Sequence, residues 1–285
     1  MTRSADISPL SILLSRVDAT SDGAPSRDAV PCGFPSLDKM LGGGFRRGDL
    51  VVLGGDVGSG KSALALAFAI RAALRQVRTA FATGEMSVER LLERVIAIEA
   101  RTRIDDLRQG TLDDLARANA GAVALGLREH LPIFERTPTG QGGAAKLARL
   151  LDELPHLDLL ILDPVAAVLD GTRGADEELA AAIRDIKALA LDRDVAILTT
   201  APLPNLAPRA DRRPTLDDFG ALGSIKHHAD IVLGLFREDM YQPSRDIEGA
   251  TELLVRKNRN GPTGYVDLYF YAQWMRFEDM LDPDR

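Results

Sequence analysis

One octet limits the fold of this chain more than any other stretch: Gly55-Asp56-Val57-Gly58-Ser59-Gly60-Lys61-Ser62, which fits G-x-x-x-x-G-K-[ST]. The apolar run Leu50-Val51-Val52-Leu53 precedes it and reads as a short buried strand. The alanine-rich stretch 63–73 follows it and reads as a helix. Strand, glycine turn and helix in that order build a phosphate-binding P-loop. The glycines let the backbone turn so that successive N–H groups point inward at an anion, and the helix N-terminus adds partial positive charge. Lys61 is then placed to reach the β- and γ-phosphates of a nucleotide, and the Ser62 hydroxyl to ligate Mg²⁺. A bare glycine turn would leave Lys61 unexplained.

The rest of the chain repeats the alternation. Strands are predicted over 50–53, 79–83, 159–162, 195–200 and 231–235, and helices over 61–75, 88–100, 112–127, 144–154 and 176–192. Apolar strands linked by helical crossovers give an α/β fold, a mostly parallel twisted sheet with helices on both faces. The end differs: 251–257 and 265–271 flank Asn260-Gly261-Pro262-Thr263-Gly264 and read as a hairpin, an antiparallel C-terminal extension. Near the start, Ser8-Pro9 is a helix-opening pair. Ile7, Leu10, Leu13, Leu14 and Val17 fall on one face of a short amphipathic helix. A turn-rich linker over 19–26 separates it from the body. The expected division is therefore 1–30, helix and flexible linker, and 31–285, the main domain.

With 45% hydrophobic and 27% charged residues, the 285-residue chain can bury a sizeable core. A net charge of −7 supplies no global basic field for nucleic acid, so any such contact must be local or inside a ring. Cys32 is the single cysteine, which excludes an intrachain disulfide and fits a reducing cytoplasm. Cys32 reads as a small packed residue rather than a nucleophile. No apolar run reaches the ~18–20 residues that span a bilayer, so no membrane partner is expected. The polar start Met1-Thr2-Arg3-Ser4-Ala5-Asp6 has no signal-peptide core.

Four further groups carry candidate chemistry. Asp163 ends the apolar run Leu159-Leu160-Ile161-Leu162, where an acid can hold Mg²⁺ alongside Ser62; capping a turn is the plainer role. Glu85 lies in the loop Thr83-Gly84-Glu85-Met86-Ser87 after the second strand, at the sheet end that lines a ligand crevice. A carboxylate there can orient the water that attacks a γ-phosphate, or it can simply pair with Arg90. Lys257 and Arg259, within Arg256-Lys257-Asn258-Arg259, form either a solvated edge or a cationic finger inserted into a neighbouring subunit's ATP site. Arg209, Arg212 and Arg213 are the best local basic patch, either a solvated loop or a phosphate-tracking pore loop. His227, His228 and Asp230 lack the partners and spacing of a metal site.

Taken together, these segments resemble the RecA-like ATPase domain of DnaB-type replicative helicases, over about 33–277. The resemblance rests on Gly33-Phe34-Pro35-Ser36-Leu37-Asp38, the P-loop, Gly84-Glu85-Met86-Ser87-Val88-Glu89-Arg90-Leu91 and Leu107-Arg108-Gln109-Gly110. It continues through Gly223-Ser224-Ile225, Ala229-Asp230-Ile231-Val232-Leu233 and Lys257-Asn258-Arg259-Asn260-Gly261-Pro262-Thr263-Gly264. It implies a RecA-like P-loop NTPase forming a homo-hexameric ring, with ATP and Mg²⁺ at subunit interfaces and single-stranded DNA in the pore. Lys61, Ser62 and Asp163 match the phosphate and metal positions, Glu85 the catalytic glutamate, and Lys257 and Arg259 the basic pair acting in trans. The helix at 10–17 matches the linker helix that packs on an adjacent subunit. The chain starts just before it, so the resemblance leaves out the amino-terminal collar. Four positions depart from the pattern. Pro202 stands where a γ-phosphate-sensing Gln is expected, Gly220-Ala221 replace a DNA-contacting Arg-Glu pair, and Pro164 follows Asp163 in place of an aromatic. These departures, with the acidic charge, keep open a second reading: a RecA/KaiC-like regulatory ATPase coupled to a replication or regulatory protein.

Overall fold

Before the P-loop, β1 (Ala29–Val30) runs antiparallel to β2 (Phe45–Arg46), with α1 (Pro35–Met40) between them. This cap is held by Asp38, whose carboxylate accepts from the backbone N–H groups of Cys32 and Gly33 and pairs with Arg75. Cys32 is fully buried here, and burial pushes its thiol well above the usual range, so it packs rather than reacts. The computed structural model describes residue 14 and residues 28–137, 142–172, 174–243 and 245–281. Apart from Leu14, the helix expected at 8–17 and the linker at 19–26 lie outside the described residues.

The main body then alternates as its apolar runs require. In chain order come β3 (Leu50–Gly55), α2 (Lys61–Leu74), β4 (Thr79–Thr83), α3 (Val88–Glu99), α4 (Ile104–Gln109) and α5 (Asp114–Leu127). Next are β5 (Ile133–Arg136), α6 (Gly143–Glu153), β6 (Leu159–Asp163), α7 (Ala175–Asp192) and β7 (Ala196–Pro202). The chain continues with α8 (Ser224–His228), β8 (Ile231–Arg237), β9 (Ala250–Asn258), β10 (Gly264–Tyr271) and β11 (Arg276–Asp279). Nine strands form one sheet in the order β11-β10-β9-β8-β3-β7-β6-β4-β5. β8, β3, β7, β6, β4 and β5 are parallel; β9, β10 and β11 extend the sheet antiparallel.

Because strand side chains alternate between faces, one strand feeds two cores. Val51 and Leu53 pack with α2 and α3, while Leu50 and Val52 pack with α6 and α7. Ile161 and Leu198 join the first core; Leu160, Leu162 and Ile197 join the second. Both sheet faces are therefore covered, as continuous apolar strands demand. Alanines let α2 lie close to the sheet: Ala65, Ala67 and Ala69 are buried beside Leu64, Leu66, Phe68 and Ile70. Phe68 meets Phe34 and Phe45 edge-on at 5.2 and 5.9 Å, which seats the β1–β2 cap on α2.

Besides the short β1 and β2 of the cap, two strands of the main sheet lie beyond the expected set. β5 is short and carries Glu135 and Arg136, so its apolar signal is weak; it pairs at the sheet edge with β4. β11 pairs with β10 through Arg276-Phe277-Glu278-Asp279, where only Phe277 is apolar.

Candidate nucleotide site

β3 sits between β7 and β8, so the P-loop leaves the middle of the sheet at its C-terminal edge, where α/β sheets bind ligands. Gly60 begins α2 at φ +101, a left-handed turn that an L side chain resists. A Cβ on Gly60 would also lie 3.0 Å from the Phe277 ring, and one on Gly55 would lie 2.6 Å from Ser59 Oγ. Side chains at these two positions would collide with the packing that holds the loop. Val57, 78% exposed, marks the open lip of the loop. Lys61 Nζ donates to the Gly55 and Asp56 carbonyls, 2.9 Å each, and the Asp56 carbonyl also accepts from Ser59 N–H. Burial pulls the Lys61 ammonium below the usual lysine range, opposed by the carboxylates of Asp163, Asp56 and Glu85. The fold thus brings together four sequence-predicted residues from three different loops.

Asp163 ends β6 and is 1% exposed. Its Oδ1 accepts a hydrogen bond from the Thr200 hydroxyl on neighbouring β7. Its Oδ2 is buried without a hydrogen-bond partner. A buried carboxylate oxygen left free costs too much to be idle, and its chemistry fits a hard cation such as Mg²⁺. Ser62 lies in the first turn of the helix that the P-loop opens. Glu85 follows β4 directly. Thr83 Oγ1 accepts from the backbone N–H groups of Glu85 and Met86, and Gly84 N–H donates to the Asp163 carbonyl, so the loop is fixed beside Asp163. Ser87 caps α3 by accepting from Arg90 N–H. Glu85 itself is exposed and, among the described residues, makes no ion pair with Arg90 or any other cation.

Lys257 and Arg259 lie at the other end of the sheet. β9 runs antiparallel to β8, so Lys257 sits opposite Val232 and Arg259 N–H bonds the Asp230 carbonyl, level with the start of β3. The length of β3, about 17 Å at ~3.3 Å per residue, separates that level from the P-loop. Lys257 Nζ caps the C-terminus of α8 by donating to the carbonyls of Lys226 and Ala229, at 2.8 and 2.5 Å. Burial, then the Arg259 charge, pulls its ammonium below the usual range. Arg259 pairs with Asp230 at 3.2 Å and donates to the His227 carbonyl.

Asp230 is the hub of that end. Its Oδ2 accepts from Lys187 Nζ at 2.6 Å and from Leu50 N–H at 2.8 Å, while Oδ1 faces Arg259. Beside it, burial and then the Asp230 charge push the Asp49 carboxyl up to about 6. Sequence reasoning placed Asp230 in a discounted His-His-x-Asp pattern and in the segment Ala229-Asp230-Ile231-Val232-Leu233, without assigning it this role. It missed Thr200, Lys187 and Tyr241, whose roles depend on cross-strand and cross-loop neighbours. Tyr241 donates to Asp56 Oδ2 at 2.8 Å.

The arginine patch is mostly neutralised within the chain. Arg209 binds both oxygens of Asp218 at 2.6 and 2.8 Å, and Arg213 forks onto Glu252 at 2.7 and 2.5 Å. Arg212 has no ion pair among the described residues; its guanidinium lies over the Tyr241 ring at 5.2 Å. Pro202 ends β7 directly opposite Gly55. Gly220, exposed, and Ala221, buried, form a kink with positive φ and have no charge to offer a strand.

The model of the DnaB-like helicase C terminal domain family matches residues 29–279. The chain belongs to this family. The replicative DNA helicase DnaB of Leifsonia xyli is 30% identical over 278 residues, covering 95% of this chain and 60% of that protein. DnaB of Geobacillus stearothermophilus is 30% identical over 261 residues, covering 88% of this chain and 56% of the relative. The chain thus spans well under two thirds of these curated relatives. Among solved structures, an isolated ATPase domain aligns with a TM-score of 0.85 at 21% identity, over 96% of this chain and 99% of that one. A DnaB-like replicative helicase, described with its interactions with primase, aligns at 0.83 and 21% identity, over 98% of this chain and 68% of that one. The fold is therefore the RecA-like ATPase fold with a C-terminal antiparallel extension, and the family is one of nucleotide-binding proteins. No helix among the described residues is long and apolar enough to cross a membrane.

Proposed function

We propose that the chain is the ATP-hydrolysing motor domain of a DnaB-like ring helicase, moving on single-stranded DNA. The carrying observation is that Lys257 and Arg259 sit a strand's length from their own P-loop. Cations so placed serve a phosphate only if a neighbouring copy supplies it, which supports a closed homo-oligomer, a hexamer, with ATP at its interfaces. Catalysis then proceeds by positioning and electrostatics. Lys61 and the P-loop amides hold the β- and γ-phosphates. Glu85 orients the attacking water. Lys257 and Arg259 of the adjacent subunit meet the charge that develops on the γ-phosphoryl group. Ser62 and Asp163 would hold Mg²⁺, which when bound offsets phosphate charge.

A protein-directed ATPase is the second reading. The internal pairing of Arg209 and Arg213, and the apolar Pro202 and Ala221, favour it. The deciding experiment is ATP turnover with and without single-stranded DNA, with Lys61→Ala as the blank. Stimulation that weakens steeply with salt supports a motor on DNA. Turnover above the blank that ignores DNA would remove the helicase reading and favour the protein-directed one.

A further inference from the structure

Two loops of this molecule meet at one tyrosine. The first is the P-loop, whose Asp56 side chain is fixed at both oxygens: Oδ1 accepts from Val57 N–H at 2.7 Å, and Oδ2 from the Tyr241 hydroxyl at 2.8 Å. The same residue's carbonyl receives Lys61 Nζ and Ser59 N–H. Whatever moves Asp56 therefore moves the lysine that faces the phosphates. The second is the arginine loop between β7 and α8. Its Arg212 guanidinium rests on the Tyr241 ring, while Nε donates to the Ala207 carbonyl at 3.2 Å. Phe236 stacks on the same ring, 6.1 Å between centroids at 18°, which sets the ring's plane. Met240, next in the chain, approaches Gly58 of the P-loop.

The three arginines differ in what an approaching phosphodiester would cost. Arg209 and Arg213 would have to leave two-oxygen carboxylate forks. Arg212 would give up only a ring contact and one neutral carbonyl, both weaker than a charge-assisted fork. It is the cation of this loop that an anionic strand can recruit. β7 itself ends beside the P-loop in Pro202, whose side chain has no polar group to carry a signal.

We propose that Tyr241 is a positioning residue that couples the arginine loop to the nucleotide site, with a phosphodiester strand as the ligand that draws Arg212 from its ring. This inference rests on the reading that the P-loop takes ATP and the loop meets a strand. With Arg212 in place, the ring and its hydroxyl hold Asp56. When Arg212 turns to a phosphate, the ring loses one of its two stacking partners and the hold on Asp56 loosens. By linkage, nucleotide in the P-loop changes the strand affinity of Arg212 by the same factor.

The test is a double-mutant cycle on the full chain. Binding of a fluorescent ADP is titrated for the wild type, Tyr241→Phe, Arg212→Gln and the double variant, each with and without oligothymidylate. Tyr241→Phe keeps the ring and its stacking, and we expect it to weaken nucleotide binding about three- to tenfold with the unfolding midpoint lowered by no more than about 4 °C. Arg212→Gln is expected to shift affinity in the tyrosine background and not in the phenylalanine background. Oligothymidylate is expected to shift the affinity of the wild type and not that of Tyr241→Phe. Additive effects in the cycle would overturn the proposal, as would an oligothymidylate shift of equal size in both proteins. A non-additive cycle with no response to oligothymidylate in the wild type would support the Tyr241 link and remove the strand reading instead.

Discussion

The two ends of the central sheet are built on opposite plans. At the C-terminal edge, polar groups are held in place but left open: Asp163 Oδ2 and Ser59 Oγ are buried without partners, and Glu85 makes no ion pair among the described residues. The other two unpartnered buried atoms among the described residues belong here too. Thr137 follows β5, and Arg94 lies in the second turn of α3, where its charge acts on Asp163. At the opposite edge the central charged groups among the described residues are satisfied within the chain. Lys257 caps α8, Arg259 meets Asp230, and Asp230 also takes Lys187 and the Leu50 amide. Unsatisfied buried groups are costly unless a ligand completes them. Arg259 keeps half of its side chain exposed while Asp230 holds it, so a second group can still reach this positioned cation. In the proposed ring one end would receive and the other donate, and β3 and β8 tie them together as neighbouring strands.

The most drastic way to break that comparison is to remove the donor. Arg259→Ala is expected to lower ATP turnover about 10³-fold while nucleotide affinity stays near wild type. Mixing it with Lys61→Ala, itself inactive, should restore part of the turnover, because interfaces form with an intact P-loop on one side and an intact Arg259 on the other. No recovery in the mixture would mean that the two ends do not meet across subunits. Next in size is the receiving end. Glu85→Gln should keep nucleotide binding and cut turnover about 10²-fold, the usual worth of a positioned general base. Equal losses in binding and turnover would assign Glu85 to holding the loop instead.

The smallest effect sharpens the donor end. The Asp49 carboxyl is pushed up to about 6 by burial and by Asp230, whereas in the unfolded chain it titrates near 4. Between those values the folded state holds the extra proton, so stability falls as pH rises through that window and the penalty is complete above it. Asp49→Asn keeps an acceptor for the Arg46 N–H and removes the charge. We expect it to raise the unfolding midpoint at pH 7.5 by roughly 2–4 °C, about 1 kcal/mol, with the gain fading as pH approaches 4. A pH-independent gain would mean that Asp49 carries no such penalty.

Local sequence was enough where a feature depends on adjacent residues. The run Leu50–Gly55, the glycines and Lys61 specify strand, turn and helix without outside help, and β4 begins and ends where its five residues predict. The crossovers followed from the alternation of periods. β5 and β11 were hidden because edge strands need few apolar residues and take their pairing from a neighbour.

The octet, the strand-ending acid and the Lys-Asn-Arg hairpin were readable in the chain because phosphate binding and turn geometry are written in short, contiguous patterns. Their arrangement was not. That Asp163 leaves one oxygen free, that Asp230 gathers Lys187 and Arg259, that Arg209 and Arg213 are internally spent, and that Tyr241 grips Asp56 all join residues far apart in sequence. Such contacts depend on strand order and register, which decide who faces whom, and no local pattern encodes them.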